Sequence, residues 1–506
     1  MDASYDPVAL AESCAARAQA AARDAAAASA ALEAALTQAA QVTAALQAAY
    51  GRGAPAGGAS APVEAAAPGA PAAAPAAHQA VPAARTPQSV EFERRCNELA
   101  QRCRSPGGAQ DAVASEAASR VLAGMKAHAR DSAAQAAGAA ALAALGGSAA
   151  DAEAQLVGFG SLQALGSALQ GHLGEAPVAE ACARAVSALM SAAEHKAGPA
   201  AEALVPLLVK SLGTHTGTPG VQDACLRALK SLAANAENKA RIAECGGVDA
   251  VVASLRSHPG DGRVQEAGAA ALRNLAALGE NQVRAARVGG VEAIVAAIRS
   301  HSHDAAVLEA ACGCLRNLTA NVANQHLAGQ AGAIPAVVAA LQAHVGHSGV
   351  VQHAAGCLWA LAVAPANKAA CAAAGGVEAV VGGLRAHPRA ASVQQQGVGC
   401  LWSVAMDAGA QARAGSAGAI EVVAAALEAF PGNAAIQEAG CGAIANMCWT
   451  NQQLQARARQ AGALRLCEAA LRSFPQHKGV VKYSRLAVGK LTPAAKDGAA
   501  AKASRR

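Results

Sequence analysis

The chain has 506 residues, of which 53% are hydrophobic but only 2% aromatic, and its formal net charge at pH 7 is +6. A chain of this length exceeds what one compact core usually holds, so we expect several domains or an extended architecture. The positive charge is too diffuse for a nucleic-acid-binding surface, which usually needs clustered basic residues.

The apolar residues are mostly Ala, Val and Leu, and runs of β-branched or aromatic residues bounded by turns are scarce. This composition predicts an all-α fold with closely packed helices. No window of about 20 uncharged, strongly apolar residues occurs, so we expect no membrane span.

The amino terminus and the cysteines bear on the cellular compartment. Asp2 and Asp6 precede any apolar stretch, and no basic segment accompanies them, which disfavours a secretory signal. The 14 cysteines then indicate free thiols in a reducing compartment. We expect the cytoplasm, with the nucleus or a cilium as alternatives.

Residues 1–50 are the first predicted element, an Ala-rich segment without Gly whose composition favours a helix. One face of this helix is roughly marked by Leu32, Leu36, Val42 and Leu46. The helix could form a weak coiled coil, dock on a partner, or simply be solvated. Residues 51–90 follow as a flexible linker rich in Pro, Ala and Gly.

Between residues 91 and 492 the sequence repeats with a period of 43 residues, and a short basic tail, residues 493–506, follows. One marker of the period is a glycine, at Gly246, Gly289, Gly332, Gly375 and Gly418. A second is aliphatic, at Leu229, Leu272, Leu315, Leu358, Leu401 and Ile444. A third is aromatic, at His128, His172, His215, His258, His301, His344, His387, Phe430 and Phe474, with one-residue shifts at both ends. These nine aromatic markers predict nine repeats.

Each repeat resolves into three helices, as residues 238–275 illustrate. Asn238 is the expected N-cap of a short first helix, which Gly246 ends. The second helix has its apolar face at Val248, Val251, Val252 and Leu255. His258 and the following Pro-Gly end that helix, and the third helix follows.

The segment from Ala331 to Leu341 contains Gly332 and Pro335, and a Leu-x-x-Leu pattern follows it at Leu358. This arrangement resembles the armadillo repeat, whose hallmarks are a Gly between the first two helices, a Pro or acid early in the second and Leu-x-x-Leu in the third. Pro335 suits the first helical position. The phrases Gly-Gly-Val-Glu-Ala and Ala-His-Pro are similar to those of the armadillo repeat-containing protein 6 group. The resemblance implies a right-handed superhelical solenoid of about nine three-helix repeats.

The histidine and cysteine series could suggest metal sites, but their spacing opposes this. Packed helical layers lie about 8–10 Å apart, whereas zinc needs ligands at about 2 Å. We expect the histidines to interact with the dipole at the carboxyl end of the second helix. Cys314, Cys357 and Cys400 should be buried among core leucines. We therefore expect no metal and no cofactor, and the lack of a Walker motif, nucleophile elbow or HExxH motif predicts that the chain is not an enzyme.

In armadillo proteins the third helices line a concave groove, and the two middle positions of Leu-x-x-Leu are candidates to project into it. The first of these positions holds Lys230, Arg273, Arg316, Trp359 and Trp402 in successive repeats. The second position holds Asn274, Asn317, Ser403 and Asn446. Tryptophan and arginine are enriched in interface hot spots, and amides can hydrogen-bond an extended peptide. The alternatives are that the tryptophans pack against neighbouring repeats and that the charges are simply solvated.

This series predicts a non-catalytic scaffold or adaptor that binds another protein, through an extended, acidic and apolar segment or through a helix. We expect no small-molecule substrate and no nucleic-acid partner. The first alternative is a structural component of a ciliary or cytoskeletal assembly that uses the convex face and the amino-terminal helix. A nuclear-transport adaptor is less favoured, because importin-α-like proteins place Trp one turn before Asn, where this chain has Gly313, Gly356 and Gly399.

Overall fold

The computed structural model describes residues 85–104, 114–147, 150–190 and 198–492. The predicted helix over residues 1–50, the linker as far as residue 84 and the tail from residue 493 lie outside these ranges. The first described helix begins at Pro87, within the predicted linker.

The described residues form 26 helices and contain no strand. The helices that precede the most regular repeats are α1 (Pro87–Cys103), α2 (Ala114–Ala127), α3 (Ser132–Gly146), α4 (Ala150–Gly158), α5 (Ser161–Gly171), α6 (Ala176–Ala188), α7 (Pro199–Thr214) and α8 (Pro219–Leu232). The next nine are α9 (Ala236–Glu244), α10 (Gly247–Ser257), α11 (Gly262–Leu275), α12 (Gly279–Arg287), α13 (Gly290–Ser300), α14 (Ala305–Leu318), α15 (Val322–Gln330), α16 (Ala333–Ala343) and α17 (Ser348–Leu361). The last nine are α18 (Pro365–Ala373), α19 (Gly376–Ala386), α20 (Ala391–Val404), α21 (Ala408–Ala417), α22 (Ala419–Ala429), α23 (Ala434–Met447), α24 (Gln452–Gln460), α25 (Ala463–Ser473) and α26 (Lys478–Leu491).

The helices stack as an all-α solenoid with one row for each helix of the repeat, as the sequence predicts. From α9 onward every repeat has three helices, and α4–α6 form another complete repeat. Two further repeats have two described helices each, α2–α3 and α7–α8. Helix α1 packs on α3 in the way that third helices pack on one another, so it extends the third row by one helix. Buried Leu, Val, Ile, Ala and Cys side chains form one core along the stack.

The periodic glycines make the sharp break between the first and second helices. Gly246, Gly289 and Gly332 have φ values of 80°, 83° and 73°, a left-handed backbone conformation that suits a residue without Cβ. Pro335 lies at the third position of α16 rather than the first. It is tolerated there because the first four N–H groups of a helix have no intrahelical partner.

The predicted N-cap at Asn238 is wrong by three residues. Asn235 caps α9, and its side chain accepts a hydrogen bond from the backbone N–H of Asn238. Asn238 itself is 1% exposed, and its side-chain amide donates to the carbonyl of Leu232 at the end of the preceding third helix. The residue therefore joins two helices instead of starting one.

The histidines lie at the predicted place, the carboxyl end of the second helix, and they also join the repeats. The ring Nε2 of His301 is 2.8 Å from the carbonyl oxygen of Pro259 in the preceding repeat. The same contact recurs from His172, His215, His258, His344 and His387. Each ring therefore connects its repeat to the one before.

The cysteines of the third helices are buried, as expected. Cys314, Cys357 and Cys400 are each at most 1% exposed. Burial raises the pKa of the neighbouring Cys312 thiol to about 12. Among the described residues, no group of three His, Cys, Asp or Glu side chains is placed to hold a metal ion.

Candidate binding groove on the third helices

Consecutive third helices contact one another much more extensively than consecutive second helices do. In a curved stack, the row of helices that is packed most closely lies on the inner side. The exposed surface of α8, α11, α14, α17, α20 and α23 is therefore concave, and we call it the groove.

All the predicted site residues lie on this surface, and each is partly exposed: Lys230, Arg273, Asn274, Arg316, Asn317, Trp359, Trp402, Ser403 and Asn446. Some of them meet across repeats. Arg316 and Asn317 of α14 line one cleft with Trp359 of α17. The cleft also contains Gln282 and Val363.

The long side chains at the first site position lie across glycines of the next repeat. A Cβ atom added to Gly399 would lie 2.6 Å from the ring of Trp359, and one on Gly442 would lie 2.6 Å from the ring of Trp402. Arg273 covers Gly313 in the same way, with its Cδ 2.9 Å from such a Cβ atom. Arg316 covers Gly356, with a corresponding distance of 3.1 Å.

The sequence predicts that the tryptophans either project into the groove or pack against neighbouring repeats, and this packing contains both features. Trp359 and Trp402 pack against the hydrophobic core on the next repeat, yet both keep part of their surface in the groove. Trp402 also makes an edge-to-face contact with Tyr483, with ring centroids 4.7 Å apart. The rings are held rigidly, which lowers the entropy that they would lose on binding a partner.

The polar residues at the second site position connect neighbouring third helices. Asn274 Nδ2 donates to the carbonyl of Lys230 at 2.9 Å, and Asn317 Nδ2 donates to that of Arg273 at 2.8 Å. Asn446 makes the equivalent bond, and Ser403 Oγ donates to the carbonyl of Ala362 at 3.0 Å. Each of these side chains thus has a structural role. That they also bind a peptide backbone stays a prediction.

A row of acidic residues, which the sequence reasoning missed, lies two turns before the basic positions on the same helices. The row includes Asp223, Glu266 and Glu309, which are 43 residues apart, and this spacing was the available signal. Asp223 and Glu266 both pair with Arg227, at 2.7 and 2.6 Å. Glu309 lies 4.0 Å from His347. In the described part of the chain, Asp223 and Glu266 are thus engaged within the fold, whereas Glu309 is not, because His347 Nδ1 already accepts a hydrogen bond from the backbone N–H of Val350.

The basic side chains of the groove differ from the paired acids on the same row of helices. Over the described ranges, Lys230, Arg273 and Arg316 have no carboxylate within ion-pair distance. His353 lies beside Gly313, as Arg273 does. Burial, with Arg273 and Arg316 as further causes, lowers the pKa of His353. The centre of the groove therefore presents unpaired positive charge.

Two buried polar atoms at this level have no hydrogen-bond partner in the described part of the chain: Nδ1 of His353 and Oε1 of Gln396. Gln396 is only 7% exposed, and its Oε1 lies beside Gly356, where Arg316 also packs. In its own repeat, each of these residues follows the position that is equivalent to the acidic row. Nothing in the sequence indicates this placement.

Comparisons with known proteins agree with this geometry. The family model described as armadillo/β-catenin-like repeat matches residues 280–320, which correspond to α12–α14. No curated protein matches the chain in sequence.

Solved structures that are similar to this one include the following two. A crystal structure of an engineered protein is 24% identical, with a TM-score of 0.65, and the match covers 80% of this chain and 96% of that chain. A structure from work on a phosphorylation switch that controls the interaction between cadherin and β-catenin is 16% identical, with a TM-score of 0.47 and coverages of 79% and 87%. One repeat therefore matches the armadillo/β-catenin-like model in sequence, and the described helices repeat its three-helix geometry, so the chain has the fold of an armadillo-like solenoid.

Proposed function

We propose that the chain is a non-catalytic scaffold or adaptor that binds an extended segment of another protein along the groove. The segment carries carboxylates, which pair with Arg273 and Arg316, and apolar side chains, which pack on Trp359 and Trp402. The observation that carries the proposal is the contrast between Asp223 and Glu266, which pair with Arg227, and the unpaired bases on the same row of helices.

The chemistry of the two kinds of groove residue, the arginines and the tryptophans, supports this partner class. A guanidinium group presents several donors in a planar fork and can hold a carboxylate through two hydrogen bonds. Arg273 and Arg316 are partly buried, so a pair formed there is screened less by solvent than one on an open surface. Trp359 and Trp402 add rigid apolar area at low entropic cost.

The same charges argue against a transport adaptor for basic peptides. Such a partner needs several free carboxylates in the groove, but two of the three acids described above, Asp223 and Glu266, are paired with Arg227. The basic positions would in addition repel a lysine-rich segment.

Proximity labelling with the intact chain, repeated with an Arg273→Glu/Trp359→Ala variant, tests the proposal. We expect a set of proteins that the wild type labels and the variant loses. Arg287→Glu is the control for charge, because Arg287 is exposed on α12. Thermal unfolding of each variant shows whether its fold is intact.

If folded groove variants keep the complete partner set, the groove proposal is wrong. Removal of residues 1–84 separates the structural alternative from it. Loss of an assembly with groove-dependent partners retained would favour a ciliary or cytoskeletal structural role.

We also propose that the chain acts in the cytoplasm. All 13 cysteines of the described ranges are free thiols, a state that a reducing compartment maintains. Imaging of the tagged full chain tests the location, and exclusive residence in a secretory organelle would contradict it.

A further inference from the structure

Large apolar side chains are exposed at five consecutive junctions between a third helix and the next first helix, four of them in the turn and one as the first residue of α15. They are Leu278, Val322, Val363, Met406 and Trp449, and we call them the ridge. Their exposed fractions are 36%, 62%, 56%, 66% and 50%, respectively. Val363, Met406 and Trp449 occupy equivalent positions, 43 residues apart.

Folding alone does not account for these side chains. The turns are held by backbone bonds, such as Val363 N–H to the carbonyl of Ala360 and Trp449 N–H to that of Asn446. Turn positions ordinarily carry Gly, Asn, Asp, Ser or Pro. A run of exposed apolar residues is typical of an interaction surface.

Lysines lie beside the two largest members of the ridge. Lys368 Nζ is 3.7 Å from the sulfur of Met406, and Lys490 Nζ lies 3.8 Å from the ring centroid of Trp449. Neither ammonium group has a carboxylate within ion-pair distance in the described ranges. A partner of this surface therefore needs apolar side chains flanked by carboxylates.

The interval between ridge residues favours a helical partner. Stacked helices repeat every 8–10 Å or so, and seven residues of an α-helix rise about 10.5 Å, just above the upper end of that interval. In an extended strand, side chains on one face recur every 6.7 Å or so, which does not match. A polyproline helix has a turn of about 9 Å, but its binding surfaces are aromatic-lined grooves, and the ridge has one aromatic residue.

We propose that the ridge is a second docking surface, which binds an amphipathic α-helix of another protein with an apolar stripe and flanking acidic residues. The helix lies along the turns, beside the groove rather than in it. Val363 borders both surfaces, since it also lines the cleft that contains Arg316 and Trp359. One partner could therefore bind the groove and the ridge together, although the ridge inference does not rest on the groove proposal.

Fluorescence anisotropy with a labelled synthetic peptide tests the proposal on the full chain. The probe is a 28-residue helix with Leu at positions a and d of four heptads, Glu at e and g, and Ala elsewhere. A helix of this length spans about 42 Å, long enough to cover the four intervals of the ridge. The comparison peptides are a permuted one with Leu at every second position and a proline-rich one.

We expect saturable binding of the helical peptide, weakened at least tenfold by Met406→Ser/Trp449→Ser. Val90→Ser/Phe159→Ser is the matched control, because both of these residues are 47% exposed outside the ridge, and it should change the affinity less than twofold. Lys368→Gln/Lys490→Gln should weaken binding of the Glu peptide but not of a Gln version.

No saturable binding, equal affinity for the ridge variant, or tighter binding of either comparison peptide would overturn the ridge proposal. The Arg273→Glu variant separates the two surfaces. It should leave the affinity of the helical peptide unchanged even where it abolishes labelling of groove partners.

Discussion

At the scale of single residues, the glycines of the third helices decide what the groove displays. Gly313, Gly356, Gly399 and Gly442 occupy the position where importin-α-like proteins are expected to place tryptophan. Each glycine receives the side chain of a residue 40 positions earlier, for example Trp359 on Gly399. Because the glycine has no side chain, the long side chain of the preceding repeat can pack across it.

Gly399→Ala tests this packing. The added methyl group would lie 2.6 Å from the Trp359 ring, so the ring or the helix must move. We expect a loss of roughly 1–3 kcal/mol in the free energy of unfolding, the usual cost of overpacking, and a red shift of tryptophan fluorescence as Trp359 becomes more exposed.

Gly213→Ala is the control for helix propensity, because no heavy atom lies within 4 Å of the added Cβ. This change should leave stability unchanged or raise it slightly. Equal stability of the Gly399 variant and the wild type, with identical spectra, would contradict the account of the groove surface.

At the scale of helices, polar side chains at helix ends connect one repeat to the next. Gln265 Nε2 donates to the carbonyls of Leu255 and His258, at 2.8 and 2.9 Å, and so caps the second helix of its own repeat. The ring of His301 contacts the carbonyl of Pro259 one repeat earlier. Side chains therefore satisfy the carbonyl groups at the end of α10, and glutamines make the same bond in four other repeats, from Gln135, Gln222, Gln394 and Gln437.

His301→Ala removes one of these connections. We expect a loss of about 0.5–1.5 kcal/mol in unfolding free energy, the usual net value of a hydrogen bond. His301→Phe should lose less, because Phe430 and Phe474 occupy the equivalent position in the last two repeats. Chemical denaturation measures both. An unchanged midpoint for the alanine variant would show that the contact contributes nothing.

The sequence predicts the helices and their equivalence, but not how the repeats are offset against each other. The 43-residue period, the glycines and Leu-x-x-Leu were enough for the three-helix unit. Contacts between repeats join non-equivalent positions, such as Arg227 with Glu266 across 39 residues and Arg284 with Asp249 across 35. These separations depend on the rise and rotation of each layer, which a period does not contain. For this reason the sequence alone does not predict that Asp223 and Glu266 pair with Arg227.

At the scale of the whole solenoid, described by residues 85–492 with the gaps given above, each repeat depends mainly on its neighbours. First helices pair with the second helix of the preceding repeat through Arg284 with Asp249 and Arg413 with Glu378, both at 2.9 Å. Such nearest-neighbour coupling makes stability a sum over repeats and keeps the concave surface continuous. The proposed binding surface is therefore one continuous strip rather than a set of isolated pockets.

Hydrogen exchange of the full chain, with and without a partner captured by the wild type and lost by the groove variant, tests the central claim most directly. The account predicts slower exchange on binding in the third helices α11, α14, α17 and α20, with the second helices α10, α13, α16 and α19 unchanged. Slower exchange confined to the second helices, with the third helices unaffected, would contradict the claim that the groove is the binding surface.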